Sequence, residues 1–175
     1  MSIDNITNGI KEQIASFEKE VSNYSHFSEI KKRMESVQEK IGCRFQNLSF
    51  LMLAFCRTKN PDEKNDYKNE SLAQIGDFVL TLMLAEFYFS QGKGKKEIQS
   101  KREEISRNTN LYKFSERYGL MDFCYHEFCF YNSNCLDHEK VSVNQHDSIV
   151  EAIIGAIYLD SGLDKAREWI HERLL

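Results

Sequence analysis

At 175 residues with 41% hydrophobic side chains, the chain has the length of one domain and enough apolar content to bury a core. One Pro and eight Gly favour helices, since Pro breaks them and Gly weakens them. The net charge of −4 argues against a strong non-specific binder of nucleic acid, and the lack of an N-terminal apolar leader or a run of about 18 apolar residues predicts an intracellular protein with no membrane contact.

From the N-terminus, Ile10, Ile14, Phe17 and Val21 make one apolar stripe at helical spacing, and Ile30, Met34, Val37 and Ile41 make a second. The first helix either covers apolar surface of its own domain or offers a face to a partner. Residues 1–25 are therefore read as an N-terminal helical extension and 26–175 as one domain. Residues 59–69, with Pro61 among charged neighbours, read as a long polar loop. From about Asn69 to Phe89 the apolar positions Leu72, Ile75, Val79, Leu80, Leu82, Met83 and Phe87 surround nearly the whole helix, which predicts a central helix buried all round.

Further on, Lys93 to Arg117 holds eight Lys or Arg against four Glu. Lys93, Lys95, Lys96, Lys101 and Arg102 form a candidate phosphate-contacting cluster, with a solvated helix face as the alternative. Cys124, Cys129, Cys135 and His138 follow in a C-x4-C-x5-C-x2-H pattern, with His126 between. These are zinc-ligating residue types, but the pattern lacks a tight C-x2-C pair, so buried free cysteines are expected and zinc is not. Cys43 and Cys56 read as core fillers. A second buried helix is expected from about Gln145 to Leu159. The whole reads as an all-α protein.

Within the first long helix, rotation by about 100° per residue stacks Glu70, Ala73 and Asp77 along one face, against which the later helix can bring Glu151. The stretch Asn69-Glu70-Ser71-Leu72-Ala73-Gln74-Ile75-Gly76-Asp77 resembles the signature of ribonuclease III domains. Asp147-Ser148-Ile149-Val150-Glu151-Ala152-Ile153-Ile154-Gly155-Ala156-Ile157-Tyr158-Leu159-Asp160 resembles that family's late helix from Glu151 onward. Ile41-Gly42-Cys43-Arg44-Phe45 with Leu48, Leu51, Ala54 and Phe55 is similar to its opening helix pair, and Tyr118-Gly119-Leu120-Met121-Asp122 to a turn in its middle.

The resemblance implies an all-α ribonuclease III-like helical domain with an extra N-terminal helix. It also implies a departure from the family's chemistry. The family holds divalent metal on four carboxylates, and the resemblance places these at positions 73, 77, 148 and 151 of this chain, where Ala73 and Ser148 stand for two of them. Asp77 and Glu151 are then remnant catalytic carboxylates able to hold Mg²⁺ weakly if at all, Glu70 has an ordering role, and Asp147 is a candidate for compensation. The family also carries an aromatic at position 74 that plugs into a partner subunit. Gln74 there implies a repacked homodimer or a heterodimer with another ribonuclease III-like chain, with an ordinary homodimer across which Gln74 finds hydrogen bonds as the alternative.

No double-stranded-RNA-binding domain follows Leu175, so binding of structured or double-stranded RNA by this chain alone is expected to be weak. The resulting expectation is a catalytically degenerate, structural subunit of an RNA-processing or ribonucleoprotein assembly, without a required cofactor. The alternatives are an active Mg²⁺-dependent dsRNA endonuclease with a non-standard carboxylate set, and a protein-interaction module using the first helix.

Overall fold

A computed structural model describes residues 3–57, 69–105, 108–126, 130 and 143–175. Among them the chain forms α1 (Ile3–Val21), α2 (Phe27–Ile41), α3 (Leu48–Phe55), α4 (Glu70–Ser90), α5 (Lys95–Ile105), α6 (Asn108–Tyr118), a 3-10 turn (Leu120–Phe123), α7 (Val143–Ser161) and α8 (Leu163–Leu174). The described residues contain no strand. Isolated bridges alone link Cys56 to Tyr125 and Tyr125 to Phe130. The expected all-α class is what the chain adopts, and both long helices lie close to their expected bounds. The polar loop expected over 59–69 lies outside the described residues, apart from Asn69.

The two N-terminal stripes become faces of packed helices. On α1, Ile14, Phe17 and Val21 are buried against the body while Ile6 stays 51% exposed, so this helix covers its own domain with its C-terminal half. The Glu18 carboxylate accepts a hydrogen bond from the Ser49 hydroxyl, tying α1 to the first turn of α3. All four stripe residues of α2 are buried. The helix then stops at Gly42, whose φ of +67° is left-handed and suits a residue without Cβ. Here the Cys43 N–H donates to the Gln38 carbonyl at 3.0 Å and the Gly42 N–H to Glu39 at 3.3 Å.

Helix α8 closes over this end. Trp169 Nε1 donates to the Ile41 carbonyl at 2.8 Å, satisfying an acceptor left over by the helix terminus. The Arg173 guanidinium lies directly over Gly42. The next connection is held from α7: the Asp160 carboxylate accepts from the Gln46 N–H at 2.9 Å and the Asn47 N–H at 2.7 Å. Asn47 in turn caps α3 by accepting from the Ser49 N–H at 2.9 Å.

Helices α4 and α7 form the centre. Leu72, Ala73, Val79, Leu80, Met83 and Leu84 from α4 meet Ile149, Val150, Ile153, Ile154 and Ile157 from α7 in the core. By length and composition α4 would also suit a membrane span, but 39% of its apolar stretch is buried inside the protein. The expectation that α4 is buried all round fails on one side. Leu82 is 46% exposed, and two aromatics absent from the expected core, Phe78 and Phe89, are 64% and 76% exposed. Helix α5 contributes no buried residue; it rests on α4 and α6, and its Ile105 packs against the core.

Candidate active-site remnant

The closest approach of α4 and α7 is made by two glycines. A Cβ added to Gly76 would stand 1.8 Å from the Glu151 carbonyl oxygen, and one added to Gly155 would stand 2.1 Å from the Leu72 carbonyl oxygen. Since Cβ atoms do not approach backbone so closely, only glycine permits this crossing. The backbones therefore touch; Ala73 and Asp77 adjoin the contacting Leu72 and Gly76 on α4, while on α7 Glu151 itself makes the contact and Ser148 stands three residues before it. Both glycines lie inside the motifs that carried the resemblance, yet their part in building the site follows from the backbone contact and not from their spacing.

The four side chains differ in burial as well as chemistry. Ala73 is buried at 6% exposure, with its N–H donating to the Asn69 carbonyl at 2.9 Å. Asp77, Ser148 and Glu151 are half-buried. Ser148 and Glu151 each engage neighbouring groups. Glu70 is exposed in the first turn of α4, where a carboxylate complements the helix dipole. Asn69, ahead of that turn, is 1% exposed and donates through Nδ2 to the Ala54 carbonyl at 3.1 Å, fixing the start of α4 against the end of α3. The side chain of Asp147 lies outside the described residues.

A family model described as Ribonuclease-III-like matches residues 54–175, well over half of the chain. The chain belongs to the ribonuclease III-like family. Among curated relatives, Ribonuclease 3 of Clostridium acetobutylicum is 31% identical over 140 residues, 78% of this chain and 59% of that protein. Ribonuclease 3 of Wolinella succinogenes is 32% identical over 146 residues, covering 81% and 58% respectively. The chain thus spans under two thirds of the length of these relatives. A solved nuclease domain of ribonuclease III from Campylobacter jejuni, in which the region involved in dimer formation shows structural flexibility, superposes with a TM-score of 0.67 at 23% identity, over 81% of this chain and 95% of that one. This likeness shows the ribonuclease III nuclease-domain fold.

The other site residues fall around this core. Gln74 is exposed on α4, and Phe78, one turn later on the same side, is the exposed aromatic of that stretch. Sequence reasoning passed over Phe78; its place at i+4 from Gln74 was the available signal. In the basic cluster, Lys93 pairs with Glu97 at 3.1 Å and Lys101 with Glu104 at 2.7 Å. The hydrogen bond from Lys93, then that from the Gly94 N–H, lowers the Glu97 carboxyl below its ordinary value; the Glu104 hydrogen bond raises Lys101. Lys93 and Lys101 of the nominated cations are therefore tied to acids of α5, and Lys95 and Lys96 are exposed beside them.

Cys124 is a fully buried core residue, with its thiol 4.0 Å from the Leu120 carbonyl. Burial pushes that thiol up to about 12 against the pull of the neighbouring Arg57 charge. Cys129, Cys135 and His138 lie outside the described residues, and among the described ones no three His, Cys, Asp or Glu side chains gather as a metal site. Cys43 and Cys56 are buried, in keeping with a role as core fillers. A concavity of about 460 Å³ between α4 and α8, lined by Met83, Phe87, Ile170 and His171, lies at the other end of α4 from Asp77.

Proposed function

We propose that the chain is a catalytically degenerate ribonuclease III-like domain, acting as a structural, RNA-associated or partner-binding subunit of an intracellular RNA-processing or ribonucleoprotein assembly. The observation that carries this reading is Ala73, a buried methyl group flanking the α4–α7 crossing where the resemblance calls for a carboxylate. Hydrolysis of a phosphodiester by two metals requires several anionic oxygens, because Mg²⁺ demands near-octahedral oxygen ligation and the attacking and leaving oxygens both carry charge. Ala73 supplies none and Ser148 only a neutral hydroxyl. Asp77 and Glu151 remain, too few for a two-metal cluster, so the residues present do not fit the Mg²⁺ site of the family.

Glu70 does not fill the gap in this reading. It is exposed and seven residues from Asp77, about 10 Å along the helix at 1.5 Å per residue. Its role is to order the start of α4. RNA contact falls to the exposed Lys95 and Lys96 with Lys93, Lys101 and Arg102 beside them, and pairing with a like or unlike ribonuclease III-like chain to the Gln74 side of α4. Residues 1–25 serve as a helical extension to a domain spanning 26–175.

A second reading, an active dsRNA endonuclease using Asp77 and Glu151 with Asp147 or Glu70, draws support from the 31% identity to a protein named Ribonuclease 3. Titration with Mg²⁺ separates the two. The unmodified chain is expected to bind Mg²⁺ poorly, Ala73→Glu with Ser148→Asp to bind it measurably tighter, and each single change to gain little, since such clusters act as a unit. Tight binding by the unmodified chain, lost in Asp77→Asn, would favour the second reading.

A further inference from the structure

We infer that the cleft between α4 and α8 docks a basic, one-sidedly apolar helical segment of a partner protein, its cations on Asp164, Glu168 and Glu172 and an apolar side chain over Met83, Phe87 and Ile170. This rests on the partner-binding role proposed above and adds the surface and the chemistry of the partner. The cleft encloses about 460 Å³, room for several side chains. Its floor is apolar, with Met83 4% and Ile170 1% exposed. The half-buried Phe87 forms a wall, packed edge to face on His171 at 5.5 Å between ring centres. The cleft starts beyond the signature stretch, and neither Phe78 nor Leu82 lines it.

The rim sets the charge of the occupant. Glu86, Asp164, Glu168 and Glu172 line the cleft against the single guanidinium of Arg167. Arg167 is shared between Glu86, at 3.1 Å, and Asp164, while Lys165, outside the lining, holds Glu168 at 2.6 Å. These pairs are exposed and screened by water, so an incoming cation competes for the carboxylates at little cost. The surplus of negative charge repels the phosphates of RNA and attracts lysine or arginine. Spacing sets the form of the occupant. Asp164, Glu168 and Glu172 stand at i, i+4 and i+8 on α8, about 6 Å per step at a rise of about 1.5 Å per residue. Cations at the same spacing on a second helix meet them one to one, and apolar side chains on its adjacent row reach the floor between Met83 and Ile170.

Fluorescence anisotropy with the full chain, in about 0.15 M salt without metal or RNA, tests this. The probe is a labelled helix-forming peptide of about 14 residues, with Arg at three positions four apart and Leu on the adjacent row. It is expected to bind with a Kd of roughly 10–100 µM. Peptides carrying Glu for each Arg, or Ser for each Leu, are expected to bind about tenfold more weakly or worse. Glu168→Lys with Glu172→Lys is expected to cost about tenfold, whereas Glu35→Lys with Glu39→Lys, the same change of charge at exposed positions of α2, stays within about twofold of the parent. Circular dichroism checks that both double variants remain folded. A Kd above about 1 mM, equal binding of the Ser peptide, or equal loss in the α2 variant would overturn the inference. So would a dimer in sedimentation that Glu168→Lys with Glu172→Lys dissociates, since a second copy would then fill the cleft. Because these measurements contain no metal and the Mg²⁺ titration reports on the carboxylates, failure of one leaves the other standing.

Discussion

Asp160 shows how much one side chain organises at the C-terminal end of α7. It ends the late motif of α7, and its two oxygens hold the backbone N–H groups of Gln46 and Asn47, positioning the cap of α3. Asp160→Ala would leave two donors without their partner and is expected to lower stability by roughly 2–3 kcal/mol, read from the urea midpoint. A change below about 0.5 kcal/mol would mean that water replaces the carboxylate freely. The buried thiols are a second case. Burial raises Cys124 from 9.0 in the open chain to about 12 in the fold. A proton held more tightly when folded stabilises the fold fully below pH 9, and that contribution is lost as pH rises through about 12. Folded protein should therefore resist iodoacetamide at Cys124 through pH 9, and Cys124→Ala should lose less stability over the alkaline range. Ready labelling near neutral pH would contradict the burial.

Between elements, the deciding contact is Gly76 against Gly155. Gly76→Ala pushes a methyl group into the Glu151 carbonyl and is expected to cost about 3 kcal/mol, while separating Asp77 from Glu151. Thermal unfolding checks it, and a variant as stable as the parent would show that the helices slide apart at no cost. Much of this level was legible in the sequence. Ile30, Met34, Val37 and Ile41 follow the 3.6-residue period and all four are buried, as expected from the pattern. The all-round apolar pattern also marked α4 as central. What it could not separate was a buried position from an exposed one, because Leu82 fits the apolar pattern of α4 yet is 46% exposed. Nor does periodicity reveal a backbone contact: Gly76 and Gly155 carry no side chain to pattern, and their role emerges only when the two helices are set against each other.

Across the whole molecule, the family was legible because its motifs are widely separated in the chain yet converge in the fold, from Asn69 at the start of α4 to Asp160 at the end of α7. Positions 73, 77, 148 and 151 of the candidate site came from the same resemblance, and the Gly76–Gly155 crossing brings the backbones of those two stretches into contact. The basic cluster was less legible. Composition counted its cations, but Glu97 and Glu104 of α5 engage Lys93 and Lys101, which a count of charges does not register. We propose that the fold has been kept while the metal-binding chemistry has been lost. The deciding experiment incubates the unmodified chain with duplex RNA and Mg²⁺ and follows the products on a denaturing gel. Negligible cleavage, indistinguishable from that of Asp77→Asn, is the expected result, whereas robust Mg²⁺-dependent cleavage abolished by Asp77→Asn would contradict the proposal.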